Sequence, residues 1–180
     1  VEGKLEFDMA EGNIRNGNSQ KGGAILIKNG GSVSGNGIIA AGHADYGAGI
    51  YVEDGGTLSG KWSIGLSGAS VSGGGIYVEG GIVNISKLKI SGCQAGNSGA
   101  GLYVAGGNVV IDEITNGNRN QAKNSDSRGG FIFIEDGSVT FNGGVIYSNT
   151  AACGSAVAMS GGHLILNRTH IYNSSANSGT

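Results

Sequence analysis

The sequence has no proline, two cysteines, one tryptophan and few charges. Without proline or a Gly-X-Y period, a collagen triple helix is excluded despite 38 glycines in 180 residues. Two cysteines, Cys93 and Cys153, are too few for a disulfide framework. They fall two repeats apart and at different offsets within the repeat described below. Strands stacked ~4.8 Å apart would hold their backbones about 9–10 Å apart, beyond the ~7 Å that a disulfide spans. Two free, buried thiols are therefore expected. No run approaches the ~18 apolar residues of a membrane-spanning helix, so this segment is not expected to insert into a membrane. Charged residues are 13% and the net charge is −2, which leaves no basic face for phosphates and argues against a nucleic-acid partner. His43, His163 and His170 are scattered, with no pair at metal-ligand spacing, so no metal and no other cofactor is implied.

What is present is a repeat. Gly73-Gly74-Gly75-Ile76-Tyr77-Val78-Glu79-Gly80-Gly81 returns from Gly47 and from Gly99, with looser copies from Gly22, Gly129 and Gly154. The spacings are 25, 26, 26, 30 and 25 residues, and self-similarity at a fixed period marks a solenoid. Glycine this abundant without pattern would suggest disorder; here it stands in fixed phase with short apolar runs. The first segment of each repeat alternates apolar residues: Ile25 and Ile27, Ile50 and Val52, Ile76 and Val78, Leu102 and Val104, Ile132 and Ile134, Val157 and Met159. That period of two is the signal of a half-buried strand.

A second segment follows a glycine turn (Val83 and Ile85, Val109 and Ile111, Val139 and Phe141), and a third ends in an apolar residue (Ile90, Ile114, Ile146, Ile171). A polar, small-residue stretch leads back to the next glycine cluster. Three strands per turn of ~25 residues predict an all-β fold, a single-stranded parallel β-helix of about seven turns. The strict hexapeptide of left-handed solenoids and the calcium-binding nonapeptide are both missing, so right-handed winding is expected.

Val1-Glu2-Gly3 aligns with Val78-Glu79-Gly80, with Leu5, Phe7 and Met9 supplying the next segment, and Asn177 to Thr180 aligns with Asn97 to Ala100. Residues 1–180 are read as one β-helix segment of a longer solenoid, or alternatively as a subunit that self-associates end to end into a filament.

With Ile76 and Val78 inside, Tyr77 and Glu79 point out. The opposite phasing would bury a column of carboxylates, at far greater cost. One exterior row is then Leu26, Tyr51, Tyr77, Tyr103, Phe133, Ala158, and the next is Glu2, Lys28, Glu53, Glu79, Ala105, Glu135, Ser160. An aromatic stripe beside carboxylates has two readings. It is either stacking between neighbouring strands, or a contact surface for a glycan or protein, whose candidates are Tyr51, Tyr77 and Tyr103. Glu53, Glu79 and Glu135 stand at spacings that bracket glycosidase geometries, a pattern that any solenoid with a repeated glutamate produces; they are weak catalytic candidates. The 30-residue repeat carries an insertion, Asn116 to Arg128, expected as a surface loop. It leads into Phe131 and Phe133, so those rings and the loop's Arg119, Lys123 and Arg128 join the candidate binding residues. His43 and Asp45 form a pair with no nucleophile placed by a motif, and Trp62 reads as packing.

Two fragments carry a family likeness: Gly22-Gly23-Ala24-Ile25, and Ile146-Tyr147-Ser148-Asn149-Thr150-Ala151. Together they resemble the repeats of polymorphic outer-membrane proteins, and equally the Gly-rich right-handed β-helix repeats of autotransporter-like bacterial surface proteins. The chain departs from that pattern where Ala69, Cys93, Gly117 and Ser174 replace the asparagine that Asn149 keeps. The resemblance implies secretion, display at the cell surface and adhesion, with a host or neighbouring-cell surface protein or glycan as partner. A carbohydrate-binding or polysaccharide-degrading β-helix using the Tyr/Glu face is the alternative.

Overall fold

The computed structural model describes residues 1–7 and 13–176. Among them there is no helix, and the strands pair in parallel throughout. Each repeat is one coil of a β-solenoid of about six turns, consistent with the right-handed crossover that twisted parallel strands favour. Among the described residues the aromatic and short sheets have six strands each, while the long sheet has seven levels, the first made of Lys4–Phe7 and Asn13–Arg15. Met9 and Asn177 to Thr180, on which the two end alignments relied, lie outside the described residues.

Three sheets line the solenoid. The first segments form the aromatic sheet, Ile25–Ile27, Ile50–Val52, Ile76–Val78, Leu102–Val104, Ile132–Ile134 and Val157–Met159. The expected second and third segments share one long sheet and run together in Ser32–Ala40, Thr57–Gly65 and Ile82–Ser91. The third face is the surprise. The polar stretch expected as a return loop is itself a sheet: His43–Tyr46, Gly68–Ser72, Gln94–Ala95, Gln121–Ala122, Thr150–Ala151 and Ser175–Ala176. Its inward column is alanine throughout (Ala44, Ala69, Ala95, Ala122, Ala151), small enough to leave little hydrophobic signal in the sequence.

The interior is stacked in columns, among them Ile27, Val52, Val78, Val104, Ile134 and Val33, Leu58, Val83, Val109, Val139, all fully buried. Burying each such side chain contributes about 1.5–3 kcal/mol. Trp62 is 2% exposed, edge-on to Phe7 at 5.5 Å, with its indole N–H donating to Ser59 O at 2.9 Å, so it does pack.

At the corner between the long and short sheets, one position per coil takes a left-handed backbone: Asn16, Ala41, Leu66, Gly92, Arg119, Ser148 and Asn173, with φ of 50–67°. Only glycine does this freely; the others cost roughly 1–2 kcal/mol each. The next residue forms a buried polar column, and here the expected alignment shifts. Register puts Ser67, Cys93, Asn120, Asn149 and Ser174 in line, not Ala69 and Gly117. Asn149 Oδ1 accepts from both the backbone N–H and the amide of Asn120, each at 3.0 Å, and Asn149 Nδ2 donates to Gly117 O at 2.9 Å. Asn120 repeats the motif one coil earlier, toward Cys93 N and Ile90 O. These bonds offset the strain and fix the turn.

Cys93 is buried in that column and free, with its thiol pushed up to about 12 by burial. Cys153 is also free but exposed, which corrects the expectation of two buried thiols. It belongs to the bridge beside Arg128, outside the alanine column.

Candidate functional site

The predicted phasing of the aromatic sheet holds. Leu26, Tyr51, Tyr77, Tyr103, Phe133 and Ala158 are direct cross-strand partners on its outer side. Tyr51–Tyr77 and Tyr77–Tyr103 stack with ring centroids 4.8 Å apart and planes 5° apart, and Phe133 continues the column at 5.3 Å and 34°. Because the strands repeat at nearly the thickness of a ring contact, the ring faces are occupied by one another. Edges and hydroxyls are what the column offers to a partner. Of the two readings of the stripe, stacking between neighbouring strands is the one observed.

The column is also partly covered. Tyr51 is only 3% exposed and Phe133 5%, while Tyr77 and Tyr103 are half-buried. The cover is a second column, Lys21, Tyr46, Ser72, Ser98, Arg128 and Cys153, where the chain passes from the short sheet to the aromatic one. Lys21 Nζ lies 4.6 Å from the Tyr51 ring centroid, Tyr46 meets Tyr77 edge-on at 5.5 Å, and the Arg128 guanidinium lies 5.9 Å from the Phe133 centroid. Between Tyr46 and Arg128 stand only Ser72 and Ser98. Their small size opens a groove of about 430 Å³ against Tyr77 and Tyr103, reached also by Glu135.

Glu79 and Glu135 of the carboxylate row have partners. Glu79 Oε1 is 3.8 Å from Lys21 Nζ, and Glu135 Oε2 accepts from the Tyr103 hydroxyl at 2.8 Å. Burial first, then the neighbouring carboxylates and, for Tyr77, the Tyr51 phenol, raises the phenol pKa of Tyr51, Tyr77 and Tyr103 above the ordinary tyrosine range. Glu53 adjoins Glu79 in the same row, and Glu79 and Glu135 are two coils apart, about 10 Å. A facing pair of carboxylates is not assembled by this row, whose members lie side by side along one edge.

The insertion resolves differently from the expectation. Asn116 to Asn118 and Gln121 to Ala122 are strand, and Asn120 is core. The four extra residues divide into a one-residue bulge between Ile114 and Asn116 and three residues within Lys123 to Ser127. Arg119, Lys123 and Arg128 are consequently dispersed to the sheet corner, the outer side of the short sheet and the aromatic groove, and make no common positive spot.

Phe131 leaves the site altogether: it is fully buried, edge-on to Phe141 at 6.1 Å. Tyr46, Ser72 and Ser98 line the groove but escaped the sequence reading, because their column begins in what looked like linker. The signal that existed was the short sheet's concealed period of alanines.

Among the described residues, no group of three His, Cys, Asp or Glu side chains is placed to hold a metal ion. His43 and Asp45 lie on the outer side of the short sheet, where Ser70 Oγ donates to Asp45 Oδ1. No family model matches the chain, no curated protein matches it, and no solved structure matches it.

Proposed function

We propose that the chain is a segment of a secreted or cell-surface β-helix whose role is structural and adhesive, with a host or neighbouring-cell surface protein or glycan as partner. The observation that carries this reading is the groove beside the aromatic column. Hydroxyls of Tyr103, Ser72 and Ser98, the Glu135 carboxylate and the Arg128 guanidinium converge there on a rigid sheet. Such a row suits a hydrogen-bonding partner laid along the coils. Its rigidity comes from the continuous apolar interior and the stacked rings, which also suit a stalk.

The resemblance to polymorphic outer-membrane and autotransporter-like repeats agrees with this reading and adds surface display to it. The engagement of Glu79 by Lys21 and of Glu135 by Tyr103 favours contact over catalysis.

The test is adhesion of cells to immobilised protein, compared with Arg128→Ala and Tyr103→Phe. Adhesion that falls several-fold in both variants supports the reading. No adhesion to any cell type, or release of reducing sugar from acidic polysaccharides that disappears in Glu79→Gln, sinks it.

A further inference from the structure

We infer that the outer face of the short sheet carries a second binding site, a trough for a neutral oligosaccharide. Two independent departures from the repeat meet there.

The first is Gly68. The outward column of the short sheet reads Asn18, His43, Gly68, Gln94, Gln121, Thr150, so a polar side chain stands on every coil but one. Most glycines of this chain are required by a positive φ or by close backbone approach. Gly68 is required by neither: its φ is not left-handed, and a Cβ there would meet nothing within 4 Å. The missing side chain leaves a gap between His43 and Gln94.

The second departure is the lengthened connection. Where the preceding coil goes from Ala95 to Ser98 through Gly96 and Asn97, this coil uses Lys123 to Ser127. The longer loop is pinned: Asn124 N–H donates to Gly96 O at 2.9 Å and Asn124 Nδ2 to Asn97 Oδ1 at 2.7 Å. Ser127 Oγ donates to Ala122 O at 3.0 Å and accepts from Ala152 N–H at 3.1 Å. It adds Lys123 and Asn124 to the trough wall. The resulting trough is about 460 Å³ and runs from Asn18 to Asn124, four coil steps or roughly 19 Å.

The lining selects the occupant. Backbone groups of these strands are bonded to the coils on both sides, so no free edge exists for a peptide to extend the sheet. Apart from the His43 imidazole, the lining has no aromatic and no large aliphatic side chain to take an apolar anchor. The trough's formal charges are one lysine, Lys123, at one end and one carboxylate, Asp45, three coils away, beside His43, so no cluster of cations is there for phosphates or a polyanion. What remains is the amides of Asn18 and Gln94 beside Ser19, Ser70 and Asn124, which donate to Lys21 O, Asp45 Oδ1 and Asn97 Oδ1 and keep acceptor oxygens facing the trough. An uncharged chain of hydroxyls satisfies that set. The geometry stands apart from the adhesive reading; only its biological use rests on it.

The test is an array of neutral and acidic oligosaccharides probed with the intact chain, hits being measured by calorimetry on Gly68→Gln and on Arg128→Ala. Expected is binding to neutral members, weakened about tenfold or more by Gly68→Gln, the equivalent of one or two lost hydrogen bonds, with an unchanged melting temperature. Arg128→Ala, in the other groove, should leave it unaltered. No neutral oligosaccharide bound at millimolar concentration, preference for acidic ones, or binding untouched by Gly68→Gln overturns the inference. Neutral-glycan binding lost in Gly68→Gln, without adhesion to any cell, upholds the trough while sinking the adhesive role. Adhesion lost in Arg128→Ala, with no neutral glycan bound, does the reverse.

Discussion

Phe131 fills the space that Gly117 leaves. A Cβ on Gly117 would lie 2.7 Å from Phe131 Cε2, in a column where the neighbouring coils carry Ile90 and Ile146. Phe131 in turn stands where the preceding coils carry Gly75 and Gly101. The two residues have exchanged bulk. Phe131→Gly should cost about 3–5 kcal/mol as a large cavity, and Gly117→Ile about 1–3 kcal/mol as overpacking. The double variant restores the pattern of the other coils and should be much more stable than the sum of the two losses. Urea denaturation of all four proteins measures the coupling, and strict additivity would refute the exchange.

The corner column makes a second prediction. Asn149→Ala deprives the Asn120 backbone N–H and amide of their shared acceptor in a buried site. The expected loss is about 2–3 kcal/mol, and Asn149→Ser should recover only part of it: a hydroxyl can accept the Asn120 N–H, as Ser174 accepts that of Asn149, but is too short to reach Gly117 O as well. A thermal shift equal to that of an exposed control such as Asn108→Ala would count against the column's role.

The stacked tyrosines predict an alkaline limit. A phenol whose pKa is raised on folding binds its proton more tightly in the folded chain. Its stabilising effect is complete below the unfolded value, about 10, and is lost as pH rises through the higher folded value. Tyr51, Tyr77 and Tyr103 all have this sign. Stability should therefore fall steeply above about pH 10, with their phenolate absorbance appearing together with loss of the β circular dichroism. Replacing Tyr51 and Tyr77 by Phe should move the alkaline midpoint upward; an unmoved midpoint would falsify the assignment.

Thiol chemistry gives the simplest check. Cys153 is exposed and Cys93 is buried with its pKa pushed up to about 12, so a thiol reagent at neutral pH should modify one cysteine in the folded chain and two in denaturant. Mass spectrometry should locate the first adduct on Cys153. Rapid modification of Cys93 in the native state would show that the corner column opens.

The sequence by itself determined the coil. Its period, the inward Ile76 and Val78 and the outward Tyr77 and Glu79 follow from the alternation of side chains along a strand and from the cost of burying carboxylates. It was silent where bulk and polarity carry no period. The short sheet is built on alanine, Phe131 and Gly117 compensate each other across the interior, and Asn120 reaches its column through a bulge. Only the tertiary structure decided how the outward residues are used. Register stacked the rings face to face and brought Tyr46, Ser72 and Arg128 beside them, while Gly68 and the Lys123–Ser127 loop came together on the opposite side of that bridge column. Those neighbours are one or more coils apart, about 25 residues in sequence, and it is the ~4.8 Å rise of the solenoid that makes them adjacent.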